Sequence, residues 1–203
     1  MDQGKRRRRS ASQLQEAILA AAAAEFGSRG YRRATTAAIA RRAGVTEAQL
    51  FRLFGSKAEL FQKAVFEPLE RRLAAFNEAH LKPVEGGEFA AAARRYVAAL
   101  IAFLRENRAL FAPLIAAEAE EGVPGVAGSE SLKDYFDRNA ALVAERLGAH
   151  GPERAELLVR ISFAAVLANV LFADWLFPAR LGGQAQLDEA IAAFVLEGIS
   201  PLQ

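Results

Sequence analysis

The chain has 203 residues, a net charge of +2, 52% apolar residues and no cysteine. That length can bury the core of one or two domains, and the lack of cysteine excludes disulfide frameworks, cysteine nucleophiles and thiolate metal sites, which suits a reducing cytoplasm. Alanine and leucine outweigh the β-branched residues, so intrinsic propensity predicts an all-α chain without a sheet.

The charge is unevenly spread. Lys5 and Arg6 to Arg9 form a basic run, followed by Arg29, Arg32, Arg33, Arg41, Arg42, Arg52 and Lys57, whereas Glu118, Glu120 and Glu121 cluster later. Such asymmetry points to an anionic partner, nucleic acid or a charged surface, for the N-terminal part; residues 1–9 taken alone are equally what a solubilising tail looks like. Ser10-Ala11-Ser12-Gln13 follows the run in place of the apolar stretch and cleavage site of a signal peptide, so secretion is not expected. The most apolar window, Ile161 to Phe177, barely reaches bilayer length and contains Asn169 and Asp174, so it reads as a buried helix.

Helix-breaking signals divide the chain into about nine helical stretches. The first runs from about Ser12 to Phe26, with Leu14, Ile18, Ala22 and Phe26 on one face, Ser12 and Gln15 at capping-box spacing, and Gly27 and Gly30 ending it. The next two fit a helix-turn-helix unit that begins at Thr36 and spans twenty residues. Ala40 is small where the helices approach closely, and Gly44 occupies the turn, where positive φ is needed. Ile39, Ala43, Val45, Leu50 and Leu53 take the inward positions, and Thr46 to Gln49 form a capping box that starts the second helix of the unit.

Ser56-Lys57-Ala58-Glu59 is a further capping box, opening a long fourth helix to about Ala79. Pro68 lies inside it and predicts a kink near Ala64 to Pro68. Lys82-Pro83-Val84-Glu85-Gly86-Gly87 reads as a linker. Five more helices follow, over about Glu88 to Glu106, Arg108 to Glu120, Ser129 to Leu147, Glu153 to Phe177 and Ala185 to Gly198. Breaks are expected at Gly122 to Gly128, Gly148 to Pro152 and Pro178 to Gly183. The two histidines, His80 and His150, lie beside helix-ending signals and read as solvated loop residues. No metal-spaced cluster, nucleophile setting or phosphate-cradling glycine loop occurs, so no cofactor, no metal and no enzymatic activity are expected; a helical-bundle enzyme stays as a remote alternative.

The stretch Ile18 to Phe61 resembles the TetR family of transcriptional regulators. The similarity is carried by Glu25-Phe26-Gly27-Ser28-Arg29-Gly30-Tyr31, by Thr35 through Thr46, and by Leu50-Phe51-Arg52-Leu53-Phe54-Gly55-Ser56-Lys57-Ala58-Glu59-Leu60-Phe61. It covers about a quarter of the chain. The resemblance implies a basic arm (1–9), a DNA-binding head (10–55) and a helical ligand-sensing and dimerisation domain (56–203). It further implies a cytoplasmic homodimer bound to double-stranded operator DNA, a repressor released by a small, largely apolar effector. A sequence-independent DNA binder is the alternative.

In a helix-turn-helix the second helix enters the major groove N-terminus first. Gln49 can read adenine, Glu47 can accept from a cytosine amine, and Ala48 or Thr46 can meet a thymine methyl, although the capping box already accounts for Thr46 and Gln49. Arg52 reaches guanine or phosphate. Thr36 and Lys57, at helix starts, suit phosphate, and Lys5 to Arg9, with Arg8 and Arg9 foremost, suit a minor-groove arm. Tyr31 either pins the first helix to the fourth or donates to phosphate. The family usually has tyrosine where this chain has Phe51, so the hydroxyl contact to phosphate is impossible here; Phe51 packs either on DNA or in the core.

One head makes too few contacts for specific binding, so two heads on a two-fold axis are expected. Ile161, Ala165, Ala168, Phe172 and Leu176, with Ile191, Val195 and Ile199, are read as the joint, and the resemblance implies a four-helix bundle there. Phe66, Phe103, Phe111, Tyr135, Asn139, Asn169 and Trp175 are candidate pocket residues, beside Phe76, Tyr96, Phe136 and Asp174, although aromatics at helical spacing equally build a core. Asn169 either bonds across the dimer, lines the pocket or bonds locally. Pro68 is read as the bend through which a ligand acts on the heads.

Overall fold

A computed structural model describes residues 10–82, 89–118, 123, 125, 128–147, 152–178 and 181–198, and every regular element among them is helical. Arg8, Arg9, His150, Ile199 and most of the expected linker lie outside the described residues. The rest fall into two compact units, one within Met1–Leu69 and Ala112–Gly128, the other within Glu70–Phe111 and Ser129–Gln203.

The first unit begins with α1, Ala11–Arg33. Its cap is Ser10, not Ser12: the Ser10 hydroxyl accepts from Gln13 N at 3.2 Å, and Gln13 Oε1 accepts from Ser10 N at 3.0 Å. Ser12 instead donates to Glu16 one turn on, so the capping box starts two residues earlier than expected. The helix also runs through Gly27, because a glycine inside a helix costs only about 1 kcal/mol. The break comes at Gly30, whose φ of 71° and ψ of 170° are non-helical, and a last turn continues to Arg33. Ile18, Ala22 and Phe26 are buried as the pattern predicts, with Leu14 half-buried.

Thr35 caps α2 (Thr36–Ala43), Thr46 caps α3 (Glu47–Phe54) and Ser56 caps α4 (Lys57–Phe61), each hydroxyl accepting from the backbone N–H three residues on. Between α2 and α3, Gly44 is left-handed at φ 71° and ψ 38°. Ile39, Ala40, Ala43 and Leu50 are buried, but Leu53 is 37% exposed. On so short a helix Leu50 and Phe54, one turn apart, already fill the inward face and turn Leu53 toward its edge. Phe26 stacks on Tyr31, and Phe61 meets both edge-on at 5.0 and 5.2 Å, closing α1 onto the start of α4. Tyr31 therefore packs, the first of its two readings.

The long helix after Ser56 changes pitch where the proline predicted a kink. Gln62–Phe66 is π-helical, and Glu67 N–H donates to Gln62 O five residues back. In α geometry the Pro68 ring would press on the Ala64 carbonyl, which it also cannot bond; one widened turn relieves both problems. The α-helix resumes as α5, Glu67–His80.

In the second unit α6 (Phe89–Glu106), α8 (Glu130–Leu147) and α11 (Gln184–Gly198) all pack on α9, Pro152–Leu171. The helix expected to reach Phe177 stops at Leu171, because the carbonyl of Leu171 accepts from the Arg108 guanidinium at 3.0 Å instead of continuing the helical ladder. Arg108 opens α7, Arg108–Ala117, and a four-residue α10, Ala173–Leu176, follows the break. On α5, Glu70 caps α8 from outside: its carboxylate accepts from the Ser129 hydroxyl and from Ser131 N, and Asn77 donates to Ser131 O at 2.8 Å.

Gly44→Ala forces a side chain into left-handed backbone and should cost about 1–2 kcal/mol, read as a lower thermal midpoint, with Gly44→Asn milder. An unchanged midpoint for Gly44→Ala would mean the turn does not depend on glycine.

Candidate nucleic-acid interface

The turn at Gly44 is closed by its own N–H, which donates to Arg41 O, and by Val45 N–H, which donates to Ala40 O at 3.0 Å. These bonds consume carbonyls at the end of α2 and leave the chain extended at Thr46, ready to cap the next helix. The Thr46 hydroxyl accepts from Gln49 N at 3.2 Å, and Gln49 Oε1 accepts from Thr46 N at 3.0 Å. Both candidate readers at this end are thus engaged in holding α3 together. Glu47, Ala48, Phe51 and Arg52 stand exposed, Phe51 at 42%, so its ring belongs to the surface and not to the core.

One contact crosses the turn that sequence spacing did not suggest: the Thr36 hydroxyl donates to Glu47 Oε1 at 2.6 Å. Two residues read as separate DNA contacts are thereby brought together, and the hydroxyl proton intended for phosphate lies on a carboxylate. At the start of α4, Lys57 reaches back to α1, its ammonium 3.4 Å from Arg32 O and 4.5 Å from the Tyr31 ring centre. Arg32, Arg33, Arg41, Arg42 and Arg52 are exposed on α1, α2 and α3.

Residues 18–64 match the family profile described as bacterial regulatory proteins, tetR family. Over those residues, about a quarter of the chain, it is similar to the tetR family. No curated protein sequence matches it. Among solved structures it is similar to a TetR-like transcriptional regulator from Rhodococcus sp. RHA1, at 22% identity and a TM-score of 0.63 over 95% of this chain and 98% of that one. It is also similar to the TetR family transcriptional regulator PfmR from Thermus thermophilus, at 19% identity and 0.65 over 90% and 98%. A third is NalD of Pseudomonas aeruginosa, the secondary repressor of the MexAB-OprM multidrug efflux pump, at 22% identity and 0.63 over 93% and 98%. At these identities the likeness shows a shared fold.

Beyond the head, the expected pocket residues fall into two aromatic groups linked by Tyr96, whose ring lies 6.1 Å from that of Phe76. Phe76, Phe103 and Phe111 form one aromatic chain, with ring centres 4.8 and 6.3 Å apart, and Tyr135, Phe136 and Phe163 form another cluster. Asn139 Nδ2 donates to the Tyr96 hydroxyl at 3.0 Å and to Tyr135 O. Burial lifts the Tyr96 hydroxyl to about 12 and that of Tyr135 well above its ordinary value, so both stay neutral hydrogen-bonding groups. His80 is exposed, its ring tilted against that of Phe76 at 4.6 Å. Phe66 is half-buried on the π-helical turn of the first unit.

Two further candidates lie apart from these aromatic groups. Trp175 is 80% exposed on α10; ending α9 at Leu171 turned it outward. Asn169 is fully buried and bonds locally, Nδ2 to Asp188 Oδ1 at 3.1 Å, where Arg105 and Gln184 also converge. Burial alone would raise the Asp188 carboxyl, but the hydrogen bonds from Arg105, Gln184 and Asn169 hold it below its usual value. An open cavity of about 290 Å³ lies beside Asp174, Phe177, Leu181 and Leu187.

The expected joint is partly exposed. Ile161 (48%), Phe172 (49%) and Leu176 (39%) face outward, while Ala165, Ala168 and Ile191 are half-buried. Val195 lies in the protomer's own core at 6% exposure, so it offers no surface to a partner. Its neighbour Phe194 is exposed at 57%, as is Leu157 one turn before Ile161 at 58%. Periodicity alone cannot say which stripe of an all-round apolar helix is the outer one.

Thr46→Ala removes a cap and should cost about 1 kcal/mol, weakening binding to all DNA sequences alike. A loss confined to one base identity would make Thr46 a reader.

Proposed function

We propose that this protein is a homodimeric, sequence-specific DNA-binding transcriptional regulator, a cytoplasmic repressor that leaves its operator when a small, largely apolar ligand binds. The observation that carries this reading is the capped, exposed N-terminus of α3 within the matched head, whose helices also expose Arg32, Arg33, Arg41, Arg42 and Arg52. No described helix is long and apolar enough to cross a membrane. The reading gives no residue a catalytic role.

Leu157 and Ile161 on α9, Phe172 just beyond its end and Phe194 on α11 supply the exposed apolar side chains through which a second copy would pair. Pairing matters because a lone head makes few contacts, and two heads double them in fixed register. Phe103, Phe111, Tyr135 and Asn139 supply aromatic surface with neutral polar handles, which suits an apolar ligand with one or two hydrogen-bonding groups. The helix running from Lys57 through the π-helical turn and Pro68 to Phe76 is continuous from the head into the second unit. It is therefore the element through which ligand binding would bias the heads, by a differential affinity of typically about 1–3 kcal/mol.

The reading is tested by the affinity for a fragment selected from random DNA relative to unselected DNA. A ratio of about 10³ or more is expected at physiological salt, and a ratio near one would overturn it in favour of sequence-independent binding. Phe172→Asp should give monomers in sedimentation that lose this preference, whereas dimers of unchanged strength would place the interface elsewhere. Lys57→Ala should weaken all sequences alike and lower the salt slope by about one unit; a selective loss would make Lys57 a base reader.

A further inference from the structure

We propose that Glu47, steered by the Thr36 hydroxyl, reads cytosine at one position of each operator half-site, an inference that rests on the DNA-binding reading above. Three of the four residues at the start of α3 are polar. Thr46 and Gln49 are tied to each other through the capping box, and Gln49 cannot give adenine a paired contact without loosening the bond from Oε1 that holds its own helix. Ala48 has no polar group. Glu47 is exposed, and among the described residues its carboxylate has a partner on Oε1 alone, the Thr36 hydroxyl at 2.6 Å. Oε2 is the oxygen that would accept from a base.

That bond spans the turn from the first residue of α2 to the first of α3. It restricts a side chain that would otherwise sample many rotamers, and the α3 N-terminus favours the negative charge there. An anchored carboxylate only accepts hydrogen bonds. It is repelled by the O6 and N7 of guanine and by the O4 of thymine. Adenine offers an amine, but acceptors flank it on both sides, its own N7 and the O4 of its paired thymine. Cytosine's amine has one flank bordered by a C–H, so an acceptor can approach it from that side unopposed. Thr36 acts through Glu47 and is a positioning residue; its proton is spent on the carboxylate, which leaves phosphate to the backbone N–H groups of the first turn of α2.

The test is selection of bound fragments from random duplex DNA by the full chain and by Glu47→Gln, Thr36→Val and Thr36→Ser. The wild type should enrich cytosine at one column of each half-site. Glu47→Gln should lower that preference about 5-fold or more, the lower end of what one good base contact is worth, with adenine rising there and other columns unchanged. Thr36→Val should blunt the same column and Thr36→Ser restore it. An unaltered column in Glu47→Gln would overturn the assignment, as would a Thr36→Val protein weakened equally on every sequence, which would mark a phosphate contact. A wild-type selection with no enriched motif would overturn the regulatory reading and this inference together, and is distinguishable from both other results.

Discussion

At Gly44 the backbone sits at φ 71° and ψ 38°, a conformation that strains any residue with a Cβ. Two backbone bonds, from Gly44 and Val45 onto Arg41 and Ala40, close the turn in that geometry. They determine that Thr46 emerges extended, so its hydroxyl and the Gln49 side chain can cap α3 reciprocally. The cap fixes which residue is first in the helix, and hence that Glu47 lies within reach of Thr36. A residue that moved this turn would shift the start of α3, its cap and its outward-facing residues together.

The second unit is organised by a different constraint, the satisfaction of helix ends by side chains from other helices. Glu70 supplies the acceptor for the start of α8, and Arg108 the donor for the end of α9. A charged group facing a helix end of opposite sign gains from both the hydrogen bond and the dipole. These anchors decide where the helices stop, and so which apolar side chains turn outward. Because α9 ends at Leu171, Phe172 and Trp175 are left at the surface, where an uninterrupted helix would have carried them along its existing faces.

How much of this was legible follows from the range of the interactions concerned. Capping at Thr46 and Ser56 acts over three residues, and the glycine turn over five, so both could be read from spacing. The kink before Pro68 was equally local, although only the structure gives its form as a π-helical turn. The cap of α1 was misplaced because Ser10-Gln13 and Ser12-Gln15 have identical spacing, and nothing in the pattern separates them. The long-range contacts were not legible: Thr36 to Glu47, Arg108 to Leu171 and Asn169 to Asp188 join residues that only the fold brings together. Asn169 illustrates this, since three partners were compatible with its position in an apolar helix and the one observed sits nineteen residues away on α11. Val195 and Phe194 were confused for a related reason: α11 is apolar on more than one side, and which side faces inward depends on α6 and α9.

Under the proposed function, two such heads act as a pair on one operator. Footprinting of the protein on its best selected fragment tests this most directly. Two protected half-sites related by a dyad are expected, with centres about 34–36 Å apart or a multiple of that distance, each containing the same bases in inverted order. A single unpaired footprint, or protection that spreads along the fragment without a fixed centre, would contradict it.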